Sequence, residues 1–583
     1  MCGIFGYVGP KKEAAQITLK GLKTLEYRGY DSWGIAVSDG HNLLHEKHTG
    51  KIGQAQVNLP QTNFAIGHTR WATHGGVTTE NAHPHFSCDN QVAVIHNGIV
   101  ENFQELKKSL GGHNFKSQTD TEVISHLIEE ELKQNNFVEA VKKVFKKLSG
   151  LNAVVALNKQ GEIVVARKGS PLVLGVGEGE YFVASDPTAI LLYTKKVIFL
   201  EDNQLAYLGS SLKIFDLESE KEVNPKIEEL DWKVEEAGLG DFQHFMLKEI
   251  FEQPVVLANI AKNYSEQIKE IAAIVKEAKG TFFIGCGTAS YAALAGQYLF
   301  SSIAHKHVNF SIGSEFNYLE DYLNDKSLVI AISQSGETID VVEPVGNAKK
   351  RGAQVVAITN VLGSTLYRAA DHKLLLGAGP EVAVCATKSF VAMVSLLIYL
   401  AFEMINQGEK AEKLLLETAE AVRSMLSDEY LGKIKELTTK IVSKEHLYVI
   451  GRGLSYPTAL EATLKLKEVP YVHSEGFAGG ELKHGVIALI EEETPTIVFA
   501  PNDETHDSII SNAIEIKARG GYIIGVSPKN NEAFDFWLPV ADLAEATIIP
   551  NVVISQLLSY FLALQKGLDP DKPRNLAKSV TVK

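Results

Sequence analysis

The stretch Phe282-Phe283-Ile284-Gly285-Cys286-Gly287 reads as a short buried strand that ends in glycines, with a helical pattern behind it. It recurs as Leu447-Tyr448-Val449-Ile450-Gly451-Arg452-Gly453. Two further pairs keep step with it: Glu337-Thr338 with Glu504-Thr505, and Lys350-Arg351-Gly352 with Ala518-Arg519-Gly520. The register drifts by only two residues across these matches, so the chain beyond about Gly240 holds one unit twice. In both copies apolar runs alternate with long helical patterns, the order of a parallel sheet covered by helices. The expected class is α/β, with two doubly wound parallel-sheet domains.

The copies differ where chemistry would sit. In the first, Ser333-Gln334-Ser335-Gly336-Glu337-Thr338 follows the apolar run 328–332 and precedes a helix expected from near Ile339. Hydroxyls and backbone N–H groups at a helix N-terminus can cradle a phosphate, although a serine-rich turn with an ordinary N-cap has the same composition. The second copy has Ala500-Pro501-Asn502-Asp503-Glu504-Thr505 there, without serine and with an added acid. It offers instead Glu461, Lys465 and Glu468 at i, i+4 and i+7 of one helix face, a pattern that alone describes a solvated ion-pair stripe.

The N-terminal half reads as strand-rich. Apolar runs at 4–8, 32–37, 64–68 and 92–96 lie between Gly, Asn and Asp turns, a helix is expected over 12–26, and another over 120–133, where Thr119 and Glu122 have capping-box spacing. Two layers of sheet with helices outside fit this order. At its start is Met1-Cys2-Gly3. If Met1 is removed, the Cys2 thiol gains its own α-amine, of reference pKa about 7.7–8.0, as a base and needs no histidine.

Three polar clusters read as loops: His68-Thr69-Arg70-Trp71-Ala72-Thr73-His74-Gly75, Asn81-Ala82-His83-Pro84-His85 and His96-Asn97-Gly98. Taken singly, Asn97-Gly98 is a hairpin turn, Asp120 a helix cap or first-turn charge and Arg70 a surface cation. His74, His83, His85 and His96 lack the paired Cys or spaced carboxylate of a metal site, and no metal is expected. Taken together they suit one reaction. Arg70 would grip the carboxylate of an amino acid and Asp120 its ammonium, while the Asn97 side chain and the Gly98 N–H would receive an oxyanion.

With 583 residues the chain is too long for one core. A net charge of −14 without a long basic run argues against nucleic acid and for small-molecule partners. Cys2, Cys88, Cys286 and Cys385 are too scattered for a disulfide framework or metal pattern, which favours the cytoplasm. The apolar run 390–402, bounded by Lys388 and Glu403, is too short to span a membrane, and the N-terminus lacks a signal-peptide pattern. A linker is expected at 235–240, with domains at 1–239, 240–428 and 429–569 and a tail at 570–583.

Met-Cys-Gly-Ile-Phe-Gly from Met1, Leu-Glu-Tyr-Arg-Gly-Tyr-Asp-Ser from Leu25, His-Thr-Arg-Trp-Ala-Thr-His-Gly from His68, His-Asn-Gly-Ile from His96 and Thr-Asp-Thr-Glu from Thr119 resemble the N-terminal-nucleophile glutamine amidotransferases. With Gly480-Glu481-Leu482-Lys483-His484-Gly485 and the tail from Pro573, the whole chain is similar to the glucosamine-6-phosphate synthase family, an amidotransferase fused to two sugar-isomerase domains. The resemblance implies an αββα first domain with Cys2 as nucleophile, Arg70 as carboxylate clamp, Asn97 and Gly98 as oxyanion pair, and Asp120 as ammonium partner. Trp71, Thr73 and His74 would also line the glutamine site.

For the second half it implies that Glu468 moves a proton between sugar carbons, Lys465 assists, and Lys578 reaches the open-chain carbonyl. His484 would open the sugar ring from a neighbouring subunit, hence a homodimer. Thr288, Ser333, Gln334, Ser335, Thr338, Val384 and Ala577 would hold the sugar phosphate. The implied activity hydrolyses L-glutamine and passes ammonia internally to fructose 6-phosphate, giving glucosamine 6-phosphate at the head of the hexosamine pathway, with no cofactor. Ala289 and Ala386 depart from the family, which commonly has serine at both. A phosphoribosylpyrophosphate amidotransferase would share the first half but not the tandem repeat. An amidotransferase acting on another sugar phosphate would keep every feature named. A sugar-phosphate-binding regulator would keep the phosphate cradle but have no need of Cys2, Lys465 and Glu468.

Overall fold

The computed structural model describes residues 2–209, 211–230 and 238–581; Met1, the 235–237 part of the expected linker and Val582 and Lys583 of the tail lie outside them. Two compact units result, one of residues 1–238 with 363–365 and 577–583, the other of 239–362 and 366–576.

In the first unit an eight-stranded sheet is built around Gly3–Val8, which pairs antiparallel with Phe64–Arg70 and Tyr181–Ala184. A seven-stranded sheet holds Val92–Gly98, Asn152–Asn158 and Ile163–Lys168 as antiparallel neighbours. Alternation along the strands decides the layers. Ile4 and Ile66 pack with Ile95 and Val155 of the other sheet, while Phe5 and Ala65 turn to Leu22 of helix Ala14–Thr24. On the opposite outside, Val94 and Val154 meet Ile128 and Val144 of helices Glu122–Leu132 and Phe137–Lys147. The order is therefore helix, sheet, sheet, helix.

Two local expectations change. Strands run on through Arg70 and through Gly98, so these polar residues sit on ladder ends and not in loops. The second helix begins at Glu122 without a side-chain cap. Glu122 instead accepts the backbone N–H groups of Lys116 and Ser117, both at 2.7 Å, and Thr119 turns its hydroxyl to His85 Nε2 at 3.0 Å.

The second unit contains the repeat as two five-stranded sheets. The first comprises Gly280–Gly285, Asn309–Ile312, Ser327–Ser333, Gln354–Thr359 and His372–Leu375, arranged in space as second, first, third, fourth, fifth, with every pair parallel. His446–Gly451, His473–Ala478, Pro495–Phe499, Tyr522–Ser527 and Phe536–Pro539 repeat that order. Leu328, Ile330 and Ile332 point into a core shared with the second copy; Val329 and Ala331 point to Val341 and Val345 on helix Ile339–Lys350. The shared core is filled by helices Thr288–Ser302, Lys388–Met404, Ser455–Glu468 and Ile548–Gln565.

The run 390–402 is part of the buried helix Lys388–Met404. Residues 544–565, not singled out by the sequence reading, form the one helix among the described residues that is long and apolar enough to cross a membrane, but 94% of that stretch is packed inside the core.

Each copy needs glycines at the same two points. A Cβ at Gly285 would lie 2.8 Å from the Ala289 carbonyl oxygen, and one at Gly451 would collide with that of Ser455. Gly287 and Gly453 have φ of +55° and +53°, where an L side chain is strained. Gly451→Ala is expected to destabilise the second unit by about 2–3 kcal/mol, and Gly453→Ala by about 1–2 kcal/mol. Urea unfolding followed by circular dichroism checks the ranking; an unshifted midpoint for Gly451→Ala would contradict the close approach.

Candidate active sites

In the first unit the ladder sets the site. Gly3 pairs with Thr69, so Cys2, one residue outside the strand, lies beside Arg70 and Trp71. The Trp71 N–H donates to Cys2 Sγ at 3.3 Å, and the thiol faces the Trp71 carbonyl at 3.5 Å. The Asn97 amide donates to the Cys2 carbonyl at 2.9 Å. His68 fixes that amide: its Nε2 lies 3.0 Å from the His96 carbonyl and 3.1 Å from Asn97 Oδ1, so Nε2–H donates to two oxygens and leaves Asn97 Nδ2 turned to Cys2. Burial holds His68 neutral, its pKa pushed down to about 3. Burial likewise pushes the Cys2 thiol up.

Gly98 has φ +130°, and a Cβ there would strike the Leu151 carbonyl oxygen, which explains glycine beside Asn97. Asp120 is buried and accepts the Val100 N–H at 2.7 Å. The Arg70 guanidinium is also buried; it donates to the Gly76 and Gly75 carbonyls, both at 3.1 Å, and to that of His74. Arg70 therefore shapes the 74–76 turn, a role the sequence reading did not assign. Trp71 meets Tyr30 edge-on at 6.0 Å, Thr73 is exposed, and the His74 ring rests against Phe103. Sequence reasoning missed His68, Arg28, whose Nε donates to the Cys2 carbonyl at 3.4 Å, and Asp31, which accepts the Ala72 N–H at 2.8 Å. Each stands inside a quoted motif, but only the fold shows that they carry the residues around Cys2.

In the second unit the strand order turns between Gly280–Gly285 and Ser327–Ser333, so the loops after these neighbours flank one crevice. Ser333 Oγ accepts the Gly336 N–H at 3.1 Å and lies 3.3 Å from Thr338 Oγ1, while Ser335 Oγ accepts the Glu337 N–H at 3.2 Å. Gln334 contributes its carbonyl to Asn360 N–H.

Thr288 goes elsewhere. Its hydroxyl bonds Glu461 Oε1 at 3.2 Å and receives Lys465 Nζ at 3.0 Å. Lys465 also reaches Glu468 Oε2 at 2.8 Å, Glu461 Oε1 at 3.3 Å and the Ala386 carbonyl at 3.3 Å. Lys465 and Glu461 have 0% side-chain exposure and Glu468 has 20%, so this is no solvated stripe. Burial pushes Glu461 up to about 7, although Lys465 opposes it; burial works against the charge of Lys465, but its neighbours Cys385, Glu461 and Glu468 outweigh it and push Lys465 up.

Val384 presents its backbone N–H to the Asp571 carbonyl at 3.0 Å. His484 ends a 3₁₀ turn, Gly479–His484, exposed and without a bond to the Lys465 cluster. Ala577 and Lys578 belong to the tail segment 577–583 of the first unit.

A four-layer unit with Cys2 at a ladder end, followed by paired doubly wound sheets around a buried Lys–Glu cluster, defines a glutamine amidotransferase joined to sugar-isomerase domains. Residues 68–192 match the glutamine amidotransferase domain, and residues 274–403 and 440–535 match the SIS domain. The glutamine–fructose-6-phosphate aminotransferase (isomerizing) of Thermococcus kodakarensis is 44% identical, with 100% of both chains covered, and that of Pyrococcus horikoshii 43% identical, again with 100% of both covered. The solved C-terminal domain of glucosamine-fructose-6-phosphate aminotransferase from Francisella tularensis matches with a TM-score of 0.52 and 31% identity, over 57% of this chain and 99% of that one. The chain belongs to the glutamine–fructose-6-phosphate aminotransferase (isomerizing) family.

The buried carboxyl has a readable pH signature. A Glu461 raised from 4.5 to about 7 binds a proton in the folded chain that the unfolded chain releases. Its contribution to stability is full below the unfolded value and is lost as pH rises through about 7. Glu461→Gln, which keeps a partner for Thr288, is expected to flatten the fall in unfolding midpoint between about pH 5 and 7. An unchanged slope in the variant would assign that pH dependence to other groups.

Proposed function

We propose that the chain converts fructose 6-phosphate and L-glutamine into glucosamine 6-phosphate and glutamate. The observation that carries this reading is the presence in one chain of a cysteine bracketed by Asn97 and the Trp71 N–H and of a buried Lys465 flanked by two carboxylates. Among the described residues no histidine or carboxylate side chain hydrogen-bonds Cys2 Sγ, and burial favours its thiol form. The base for it is therefore the α-amine that Cys2 acquires once Met1 is removed. Attack of the thiolate on the glutamine amide gives a tetrahedral oxyanion, received by the Asn97 amide and Gly98 N–H, with Arg70 and Asp120 at the carboxylate and ammonium of the amino acid. Ammonia leaves with the proton taken from the thiol, and water cleaves the thioester to glutamate. Trp71, Thr73 and His74 line this site.

Ammonia then condenses with the C2 carbonyl of the sugar and expels water. Glu468, the most exposed carboxylate of the cluster, takes a proton from C1 of the imine and returns it to C2 while the C1 hydroxyl proton passes to the imine nitrogen, leaving an aldehyde at C1 and an amine at C2. Buried Lys465 supplies positive charge beside the developing enolamine oxygen. In this reading Ser333, Gln334, Ser335, Thr338 and Val384 take the phosphate, while Thr288 stays with Lys465 and Glu461. Ala386 uses its carbonyl toward Lys465, so loss of a hydroxyl there spares that contact. The exposure of His484 suits ring opening in the site of a neighbouring subunit, and we read the protein as a homodimer. The four unpaired cysteines agree with a cytoplasmic setting, and the domain limits 1–239, 240–428 and 429–569 with the tail 570–583 are kept with this reading.

The test is incubation of the pure chain with glutamine and a panel of ketose phosphates, with the amino sugar identified by mass; no amino sugar from fructose 6-phosphate would end the reading. Cys2→Ala is expected to lose glutamine hydrolysis entirely while keeping solvent exchange at the sugar C1 and C2 hydrogens. Glu468→Gln should do the reverse, losing that exchange by about 10²–10⁴-fold. Exchange at the wild-type rate in Glu468→Gln would remove Glu468 from proton transfer.

A further inference from the structure

Outside both catalytic clusters, four side chains of the first unit converge. Cys88 lies in the turn after strand His85–Phe86, His113 in the segment after helix Phe103–Ser109, and His126 and Glu129 lie one turn apart on helix Glu122–Leu132. We propose that Cys88, His113, His126 and Glu129 form a zinc site that ties these three segments together. In the sequence the histidines that stand out are His74, His83, His85 and His96, which carry no metal pattern; at the present site only the His126-Leu127-Ile128-Glu129 spacing is local, and the other two ligands come from separate loops.

Five of the six ligand–ligand distances match a tetrahedron, and Cys88 Sγ and Glu129 Oε2 lie within 4.8 Å of each other. His113 Nδ1 and His126 Nδ1 are 3.3 Å apart, and Cys88 Sγ is 3.6 Å from each. Glu129 Oε2 is 3.4 Å from His113 Nδ1 and 3.5 Å from His126 Nδ1. Four-coordinate Zn²⁺, with bonds of about 2.0–2.2 Å to nitrogen and oxygen and about 2.3 Å to sulfur, separates neighbouring ligand atoms by about 3.3–3.6 Å.

The tautomers point the same way. His113 Nε2 meets Glu130 Oε1 at 2.8 Å, and His126 Nε2 faces Glu122 Oε1 at 3.7 Å. With each Nε2 proton turned to a carboxylate, as in the outer shell of metal-bound histidines, both Nδ1 atoms present lone pairs to each other, to sulfur and to a carboxylate oxygen. Four electron-rich atoms at such separations repel unless a cation sits among them. The sulfur is also a hydrogen-bond acceptor, from Asn114 N–H at 3.4 Å, and Glu129 Oε2 accepts Cys88 N–H at 2.8 Å. Both bonds favour the anionic ligands.

Two imidazoles, a thiolate and a carboxylate suit zinc and not calcium or magnesium, which take oxygen. Four protein ligands leave no open position, so the site is structural. It would anchor the helix whose approach carries Asp120 and Thr121, the latter bonded to His96 Nδ1 at 2.9 Å.

The test uses the untagged full-length chain, reduced, freed of metal by chelator and titrated with Co²⁺. About one equivalent is expected to bind, with the visible bands of four-coordinate cobalt and a thiolate charge-transfer band in the near ultraviolet. Cys88→Ser should lose the charge-transfer band, and His126→Gln should bind more than about 100-fold more weakly. As a measurement that needs no variant, Zn²⁺ should raise the thermal midpoint of the metal-free wild type, and the protein as purified should hold about one zinc per chain. Folded, reduced wild type that binds less than about a tenth of an equivalent of cobalt, or a charge-transfer band that survives Cys88→Ser, would overturn the site.

Discussion

An ammonium group cut off from water is costly unless charge and hydrogen bonds replace the solvent. Lys465 meets that requirement with parts drawn from the whole sugar-isomerase unit. Glu461 and Glu468 come from its own helix, Thr288 from the start of the first copy, and the Ala386 carbonyl from the turn that opens helix Lys388–Met404. That turn is itself pinned, because Glu381 accepts the N–H groups of Thr387 and Ser389 at 2.9 and 3.0 Å. Removing one partner of such a buried charge generally costs about 3–5 kcal/mol. The two copies of the repeat are thus joined by chemistry as well as by apolar packing, and neither holds the cluster alone.

The amidotransferase unit solves its geometry with a ladder. Among the described residues Cys2 Sγ meets only backbone groups of Trp71, so its position depends on the register of Gly3–Val8 against Phe64–Arg70. A slip of one residue would turn Ile4 outward and Phe5 inward and carry Cys2 away from Trp71. Asn97 reaches Cys2 from the other sheet only because the buried, uncharged His68 holds its amide the right way round.

Much of this was legible in the residues. The repeat, its paired glycines and the alternating strands follow from periodicity and from backbone punctuation, and those features survive in three dimensions because they are local. Other features depended on what lies across the interface. Arg70 looks like a loop residue because it is polar, and Asn97-Gly98 because the pair favours turns, yet the neighbouring strands extend far enough to pair with them. Glu461, Lys465 and Glu468 matched a solvated stripe, and nothing within fourteen helical residues reveals that Thr288 covers that face. Arg70 suits a carboxylate by its chemistry alone; what the sequence does not reveal is that its guanidinium also donates to the carbonyls of its own turn.

The shared core of the second unit also has a bearing on how the chain is made. Helix Lys388–Met404 is apolar on all sides and leaves the ribosome well before helices Ser455–Glu468 and Ile548–Gln565, which pack into the same core. During synthesis the first copy therefore carries an uncovered greasy face until the last helix of the second emerges. Chains of this kind are prone to associate with one another while incomplete. The duplicated architecture thus leaves the core begun by the first copy to be closed by Ile548–Gln565 of the second.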